Sequence, residues 1–421
     1  MYAQLRESLA PSSGAAGATL RRGNWRVSRN VVNLGLTSLF TDISSEMISA
    51  ILPLYLVFFL RLTPLEYGFV DGLYQGASAL VRVVFGYAAD RWQRYKEVAA
   101  IGYALSALCK PAMLVVGGSW TALAVIVLVD RTGKGMRTAP RDALISLSSP
   151  HAELGLAFGV HRALDTLGAM VGPLVAFGVL AALPNAFDVV FVASFCAALL
   201  GLCVLGLLVE NRAPTHGLAQ PPRVSWRAAA GLLREGHLRA LTIAGVALGL
   251  ATVSDGFVYL VLQRQVAFPA GFIPLLPVTT SLAYLVLAVP AGRLADRVGR
   301  ARVFLAGYGL LLVVYASLLL PTAGLAELLA VLFVFGAYYA ATDGVLMALA
   351  SAHLAGELRT SGLAVLTTGT GLARLAGSML FGALWTVWGV EVAAGLFLLG
   401  LLGAVAMASL ALARTDHVVA A

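Results

Sequence analysis

The sequence GYAADRWQRYK (Gly86–Lys96) recurs in a similar form, AGRLADRVGRAR (Ala291–Arg302), about half the chain further on. In both copies a glycine stands four residues before an Asp-Arg pair, and further basic residues follow the pair. Each copy comes directly after a long apolar run. Internal repeats at half the chain length are typical of membrane transporters built from two related helical bundles. The repeat therefore predicts a chain of two similar halves.

The composition predicts an all-α polytopic membrane protein. Of the 421 residues, 59% are hydrophobic and only 12% are charged, whereas soluble domains carry about 25% charged residues. A helix needs about 20 mostly apolar residues to span a bilayer, and such runs recur between Val31 and Ala413.

The apolar runs predict twelve transmembrane helices in two pseudo-symmetric six-helix bundles. We expect these helices at 31–58, 66–90, 97–117, 119–142, 154–182, 188–209, 239–263, 272–296, 301–321, 325–353, 358–388 and 391–413. The predicted domains are an N-terminal tail (1–30), an N-terminal bundle (31–210), a cytoplasmic linker (211–238), a C-terminal bundle (239–413) and a C-terminal tail (414–421).

The basic residues predict the orientation. They concentrate in the gaps after even-numbered helices, whereas the opposite gaps contain only Arg61 and Arg264. Because positive charge favours the cytoplasmic side, we expect a multi-pass protein of the inner membrane with both termini in the cytoplasm. The same distribution explains the net charge of +8 without a nucleic-acid partner.

The repeated loops also predict a conformational latch. Glycine lets two helices approach closely, and the acidic and basic side chains can bridge helix ends at the cytoplasmic face. A single copy would be explained equally well by a tight turn with topogenic charge, but two matching copies favour the latch. Its predicted residues are Gly86, Asp90 and Arg91 in the first copy and Gly292, Asp296 and Arg297 in the second.

Two pairs of ionisable residues in the first half predict proton coupling. Asp42 and Glu46 are four residues apart, so both carboxylates share one helix face, where intramembrane charge is usually functional. One of them could instead pair permanently with an interior arginine. His161 and Asp165 have the same spacing and suit a proton relay. A metal ion would need further ligands, and we predict no metal site.

Other intramembrane residues are candidates for substrate binding. Arg82 could anchor a substrate anion or act as counter-ion to Asp42 or Glu46. The tyrosines at 338 and 339 could stack on a substrate, although aromatic residues in membrane helices often serve packing or anchoring. The predicted substrate-binding residues are Arg82, Lys134, Arg162, Asp255, Tyr338, Tyr339, Asp343 and Arg374.

The repeated loops resemble the loop motif of the major facilitator superfamily, and the resemblance extends over nearly the whole chain. The first copy departs from that motif at Gln93, where a glycine is usual. Arg131-x-x-Lys134-Gly135 resembles an Arg-x-x-Gln-Gly element proposed for proton coupling, which implies a coupling role for Arg131. The fifth helix resembles the glycine pattern of antiporters, which implies export and a hinge at Gly159, Gly168, Gly172 and Pro173.

Three segments resemble a bacterial branch that includes nickel-resistance exporters of the NreB type. They are NVVNLGLTSLFTDISSEM (Asn30–Met47), RTGKGMRTAPRDALI (Arg131–Ile145) and FGVHRALDTLGAMVGP (Phe158–Pro173). Substrates across this branch are diverse, so the resemblance implies a fold more strongly than a ligand.

We therefore expect a secondary active transporter, a proton-coupled exporter of a small molecule that works by alternating access. It would need no cofactor beyond a proton or ion gradient and would act as a monomer in the lipid bilayer. The alternatives are a proton-coupled or facilitative importer of an organic anion and a divalent metal exporter. A membrane enzyme is disfavoured, because no nucleophile and base are suitably spaced and RTGKG lacks the context of a phosphate loop.

Overall fold

The computed structural model describes residues 27–150, 153–212, 236–320, 324–352 and 359–419, which are helical almost throughout. The first half contributes α1 (Arg29–Pro53, continued by a wider helical turn at Leu54–Phe59), α2 (Pro64–Trp92), α3 (Tyr95–Val115), α4 (Trp120–Leu147), α5 (Leu154–Ala182) and α6 (Phe187–Leu208). The second half contributes α7 (Gly236–Leu250), α8 (Asp255–Val266), α9 (Leu276–Val298), α10 (Arg300–Leu319), α11 (Leu325–Ala352), α12 (Arg359–Trp388) and α13 (Val390–Val419).

The predicted seventh helix is wrong in one respect, because it consists of two helices. α7 ends at Leu250, the residues at 251–254 are not helical, and α8 begins at Asp255. Ser254 and Asp255 are a serine N-cap followed by an acidic first turn, which is a helix-start signal. The apolar run around them hid this signal, so the sequence predicted one continuous helix.

The ends of the chain differ partly from the predicted domains. α13 continues to Val419, beyond the predicted boundary at 413, because no glycine or proline ends the helix there. Residues 1–26 and 213–235 lie outside the described residues, so the N-terminal tail and the linker stay predictions.

Within the described ranges, nine helical stretches are long and apolar enough to cross a membrane. The stretches that do not qualify include α2 and α4. α4 carries the charged residues Asp130, Arg131, Lys134, Arg137, Arg141 and Asp142. Four of these, Asp130, Arg131, Arg137 and Arg141, are buried. α4 is therefore polar because it carries buried charges, and not because it lies on the protein surface.

The two bundles meet closely at one end, where the connections at 60–63, 116–119, 183–186 and 267–275 lie; we call this the closed end. Here α2 packs on α12 through a glycine stripe. A side chain at Gly68 or Gly72 would come within 2.6 or 2.8 Å of the Ser378 or Leu375 carbonyl oxygen. The Leu65 backbone N–H donates to Thr386 Oγ1 at 2.9 Å, and Phe177 packs on Phe272.

The opposite end carries the connections at 93–94, 148–150, 209–212 and 299, and we call it the motif end because the repeated loops lie there. The space between the bundles extends from the closed end towards this end as two cavities. Both are lined by residues from both bundles.

Candidate functional site

The first cavity lies between the bundles and has a volume of about 290 Å³. Its wall combines carboxylates from four helices with five tyrosines. The carboxylates belong to Glu46, Asp71, Asp255 and Asp343, and the tyrosines are Tyr67, Tyr74, Tyr259, Tyr284 and Tyr339. Neither a lysine nor an arginine of the described residues lines this cavity, so its lining is acidic and aromatic.

The second cavity has a volume of about 260 Å³ and lies nearer the motif end. It shares Gln75 and Asp343 with the first cavity, so the two adjoin each other. Its basic residues are Arg82, which is exposed, and Arg374. The site therefore changes from acidic to basic along the axis between the bundles.

The break between α7 and α8 shapes the boundary between these cavities. Tyr315 holds the non-helical segment, because its hydroxyl accepts from the Val253 N–H at 2.5 Å and donates to the Ala251 carbonyl at 3.1 Å. Tyr339 donates a hydrogen bond to the Asp255 carboxylate at the start of α8. A small pocket at the break is lined by Ser254, Asp255, Tyr339 and Arg374 together with residues of both bundles.

Asp71 joins the two bundles beside the first cavity. It is buried on α2, and the Ser378 hydroxyl of α12 donates to its carboxylate at 2.6 Å. The sequence prediction did not include Asp71 in the site. The signal that could have found it is the polar face of α2, where Tyr67, Asp71, Tyr74 and Gln75 recur at helical spacing.

A buried ionic cluster lies between α3 and α4. The Asp130 carboxylate accepts from Lys110 Nζ at 2.7 Å and from Arg131 Nη2 at 2.5 Å. The Arg131 guanidinium also lies 3.7 Å from the centre of the Tyr74 ring, a cation–π geometry. The predicted coupling residue Arg131 is therefore tied to Asp130 and reaches the cavity only through Tyr74.

A second cluster contains most of the predicted proton carriers. Asp42 of α1 and Asp165 of α5 lie close enough for their carboxyl groups to interact. Arg137 approaches Asp42 at 4.0 Å, and Arg141 approaches Asp165 at 3.8 Å. Two carboxylates cannot share a hydrogen bond unless one of them holds a proton.

His161 belongs to the same cluster but contacts a hydroxyl rather than a carboxylate. Its Nε2 lies 2.9 Å from the Ser38 hydroxyl, and Arg141 donates to that hydroxyl at 3.2 Å. Arg141 therefore lies beside both His161 and Asp165, and the relay between these two residues stays a prediction. Arg162 pairs with Asp165 at 3.2 Å from a side chain that is 54% exposed, and neither cavity includes it.

The predicted pair Asp42 and Glu46 divides between two environments. Glu46 lines the first cavity, whereas Asp42 faces α4 and α5. Lys134 lies within electrostatic range of both carboxylates. Arg82 is not their counter-ion, because Arg137 takes that place beside Asp42 and Arg82 faces the second cavity.

The predicted substrate tyrosines also divide. Tyr339 lines the first cavity, whereas Tyr338 is fully buried and packs on Tyr308 and Phe335. In the structure Tyr338 is thus part of the aromatic core of the second bundle.

The latch prediction is described only in part. The side chains at Gly86, Asp90 and Arg91 lie outside the described residues. In the second copy Asp296 pairs with Arg300 one helical turn away at 3.3 Å, and Arg297 is exposed in the last turn of α9. Gly292 is half-buried. The latch remains a prediction.

The predicted hinge residues mark close packing between α5 and α1. A side chain at Gly168 would lie 2.5 Å from the Leu39 carbonyl oxygen, and one at Gly172 would lie 2.6 Å from that of Ile43. Gly159 faces open space, and α5 runs through Pro173 without a break. Close packing alone explains Gly168 and Gly172, and the hinge stays a prediction.

The chain shows a match to a known family over most of its length. The family model described as Major Facilitator Superfamily matches residues 34–279 and 241–420. The chain belongs to this superfamily. A member from Methanocaldococcus jannaschii, an MFS-type transporter, is 30% identical over 369 residues, which is 86% of this chain and 89% of that protein.

Solved structures of other major facilitator proteins confirm the predicted fold. A variant of the nucleoside transporter NupG superposes with a TM-score of 0.72 over 91% of this chain and 99% of that one, at 17% identity. A variant of the peptide transporter POT superposes with a TM-score of 0.76 over 94% and 96%, at 14% identity. This protein is therefore a multi-pass membrane transporter of the major facilitator fold, with helices in two bundles.

Proposed function

We propose that this major facilitator protein is a proton-coupled secondary exporter of a small molecule. The observation that carries the proposal is the proximity of Asp42 and Asp165 between α1 and α5, with Arg137 at 4.0 Å from Asp42 and Arg141 at 3.8 Å from Asp165. One shared proton stabilises this pair of carboxyl groups, and its loss leaves two adjacent negative charges that repel each other. The pair is a proton-binding element whose geometry depends on how α1 and α5 pack.

The proton-binding pair is connected to the substrate cavity through one helix. Asp42 and Glu46 are one turn apart on α1, and Glu46 lines the first cavity. Lys134 interacts electrostatically with both of these carboxylates. A substrate that displaces the interaction of Lys134 with Glu46 shifts this lysine towards Asp42, which favours release of the shared proton. Substrate and proton then compete, as exchange in opposite directions requires.

The proposed direction of export rests on the antiporter-like glycine pattern of α5, and the predicted orientation gives the route. The basic residues of the repeated loops lie at the motif end, which the charge distribution assigns to the cytoplasmic side of the inner membrane. The second cavity adjoins the first on that side, while the bundles pack closely at the other end. A cytoplasmic substrate would enter through the second cavity, and rocking of the bundles would release it outside. Both termini would then be cytoplasmic, and one chain would suffice.

Import of an organic anion is the second candidate, and one observation favours it. Arg82 and Arg374 face the second cavity and could attract an anion. Export of a divalent metal has no comparable support, since no three potential metal-binding side chains of the described residues group together.

Inverted membrane vesicles test the proposal. The vesicles are made acidic inside, and an acridine dye reports the pH gradient. Uridine, alanyl-phenylalanine and tetraphenylphosphonium are added separately, and vesicles without the protein serve as the blank. We expect at least one probe to release protons from parent vesicles and none to do so with Asp165→Asn. No release from the parent with any probe, or equal release with the variant, would contradict proton-coupled export.

A further inference from the structure

We propose that the two cavities together bind a small zwitterion, with its ammonium group in the first cavity and its carboxylate at Arg374 in the second. This inference rests on the proposed transport function, because it treats the cavities as the substrate site. It adds the chemical class of the substrate, which neither the family nor the similar structures define for this chain.

The first observation is that opposite charges face the two cavities without partners. Among the described residues, Glu46 and Asp343 form no ion pair, and neither do Arg82 and Arg374. The buried cations of the first bundle have carboxylate partners within 4.0 Å; they are Lys110, Arg131, Arg137 and Arg141. Asp343 and Arg82 are exposed where they line the cavities, whereas Glu46 and Arg374 are partly buried. Unpaired charge in the interior of a membrane protein is costly. Ligand groups of opposite sign at each end would compensate it.

The second observation is that the cavities adjoin each other. Gln75 and Asp343 line both, so one molecule can extend from one cavity into the other. The volumes of about 290 and 260 Å³ suit a molecule of dipeptide size. The Ser254 hydroxyl is buried at the break between α7 and α8 and lies close to the Asp71 carboxylate. It lines the small pocket that also contains Asp255 and Arg374.

The chemistry of each end fits one charged group. In the first cavity, tyrosine rings and carboxylates together bind an ammonium group through cation–π and ionic contacts. In the second cavity, the planar guanidinium of Arg374 can bind a carboxylate through two parallel hydrogen bonds. A ligand with only negative charge would meet the four carboxylates of the first cavity. A ligand with only positive charge would meet Arg82 and Arg374.

Binding of one dipeptide in three charge forms tests the proposal. Isothermal titration calorimetry of the purified protein in detergent compares alanyl-phenylalanine, its C-terminal amide and its N-acetyl derivative. These differ little in size, but each capped form lacks one charge. We expect the free dipeptide to bind at least about tenfold more tightly than either capped form, because each end contributes a charge-assisted contact. Equal affinities, no detectable binding, or tighter binding of a capped form would overturn the proposal.

Two variants test which cavity binds which end of the dipeptide. Arg374→Gln should abolish the preference for the free dipeptide over the amide and retain the preference over the N-acetyl form. Asp343→Asn should have the reverse effect. If Arg374→Gln fails to fold, Arg374→Lys tests the contact instead: it keeps the charge but cannot form two parallel hydrogen bonds, so it should reduce the preference for the free dipeptide over the amide without abolishing it, and an unchanged preference would contradict the assignment. Arg264→Gln and Asp188→Asn change exposed residues at helix ends and should leave all three affinities unchanged. A uniform loss for all three forms in both variants would indicate a purely structural role and contradict the assignment.

The result is separable from the vesicle assay. If the dipeptide series binds as expected while no probe releases protons, the substrate class stands and proton coupling fails. If uridine or tetraphenylphosphonium releases protons while none of the dipeptide forms binds, proton-coupled export stands and the zwitterion is wrong.

Discussion

In the N-terminal bundle the buried charges of α3 and α4 have ion-pair partners within that bundle, whereas in the C-terminal bundle Asp343 and Arg374 line the second cavity without an ion pair. Asp130, for example, forms ion pairs with two cations of its own bundle, Lys110 and Arg131. The C-terminal bundle instead has a broken helix and an aromatic core around Tyr338. The difference indicates a division of work between the bundles. In the proposed function the first bundle binds and releases protons, and the second contributes charge and shape to substrate binding.

The largest expected effect is on the stability of the N-terminal bundle. Asp130→Asn removes the shared counter-ion of Lys110 and Arg131, leaving two buried cations unpaired. We expect a loss of about 3–5 kcal/mol in the free energy of unfolding, measured by denaturant in detergent. Asp188→Asn, the same change at an exposed site, should cost less than about 0.5 kcal/mol. Similar values for both variants would mean that the buried pairing does not stabilise the bundle.

The next effect concerns transport rather than folding. Asp42→Asn should reduce proton-coupled exchange by about 100-fold, or about 2.7 kcal/mol, because an amide cannot take part in sharing the proton with Asp165. The rate of dye dequenching in inverted vesicles measures it, with Asp188→Asn as control. An unchanged rate with Asp42→Asn would contradict a role of the N-terminal bundle in proton transfer, and with it the proposed difference between the two bundles.

A smaller loss of stability is expected at the break between α7 and α8 in the C-terminal bundle. Tyr315→Phe removes the hydroxyl that satisfies both Val253 and Ala251 at the break. Leaving those buried backbone groups unpaired should cost about 1–3 kcal/mol in the free energy of unfolding. Tyr103→Phe is the matched control, because the Tyr103 hydroxyl is buried without a hydrogen-bond partner, and it should be neutral or stabilising. If both variants lose the same stability, Tyr315 does not hold the break.

Most of the fold could be predicted from the sequence. The lengths of the apolar runs, the distribution of basic residues and the repeated loops are all visible in the sequence without knowledge of tertiary contacts. The sequence prediction missed the break at Ser254 because a cap signal inside an apolar run is local, while Tyr315, which holds the break, lies some sixty residues away. It grouped Asp42 with Glu46 by helical spacing, and the two residues do lie one turn apart on α1. Only the packing of α5 shows that Asp42 leaves the cavity and meets Asp165. It also paired Tyr338 with Tyr339, although neighbours in a helix face different directions.

Pairing of Asp296 with Arg300 at the motif end should matter least for stability. The two side chains are partly exposed and one helical turn apart, a geometry that contributes about 0.3–0.5 kcal/mol. Asp296→Asn should therefore lower the free energy of unfolding by less than about 1 kcal/mol. If the second loop is also a latch, the variant should still shift the access equilibrium. Labelling of a cysteine placed at Ser78, beside the second cavity, measures that shift from the motif end. Unchanged labelling together with unchanged stability would show that the repeated loop in the C-terminal bundle serves topology alone, and the two bundles would then differ in this respect too.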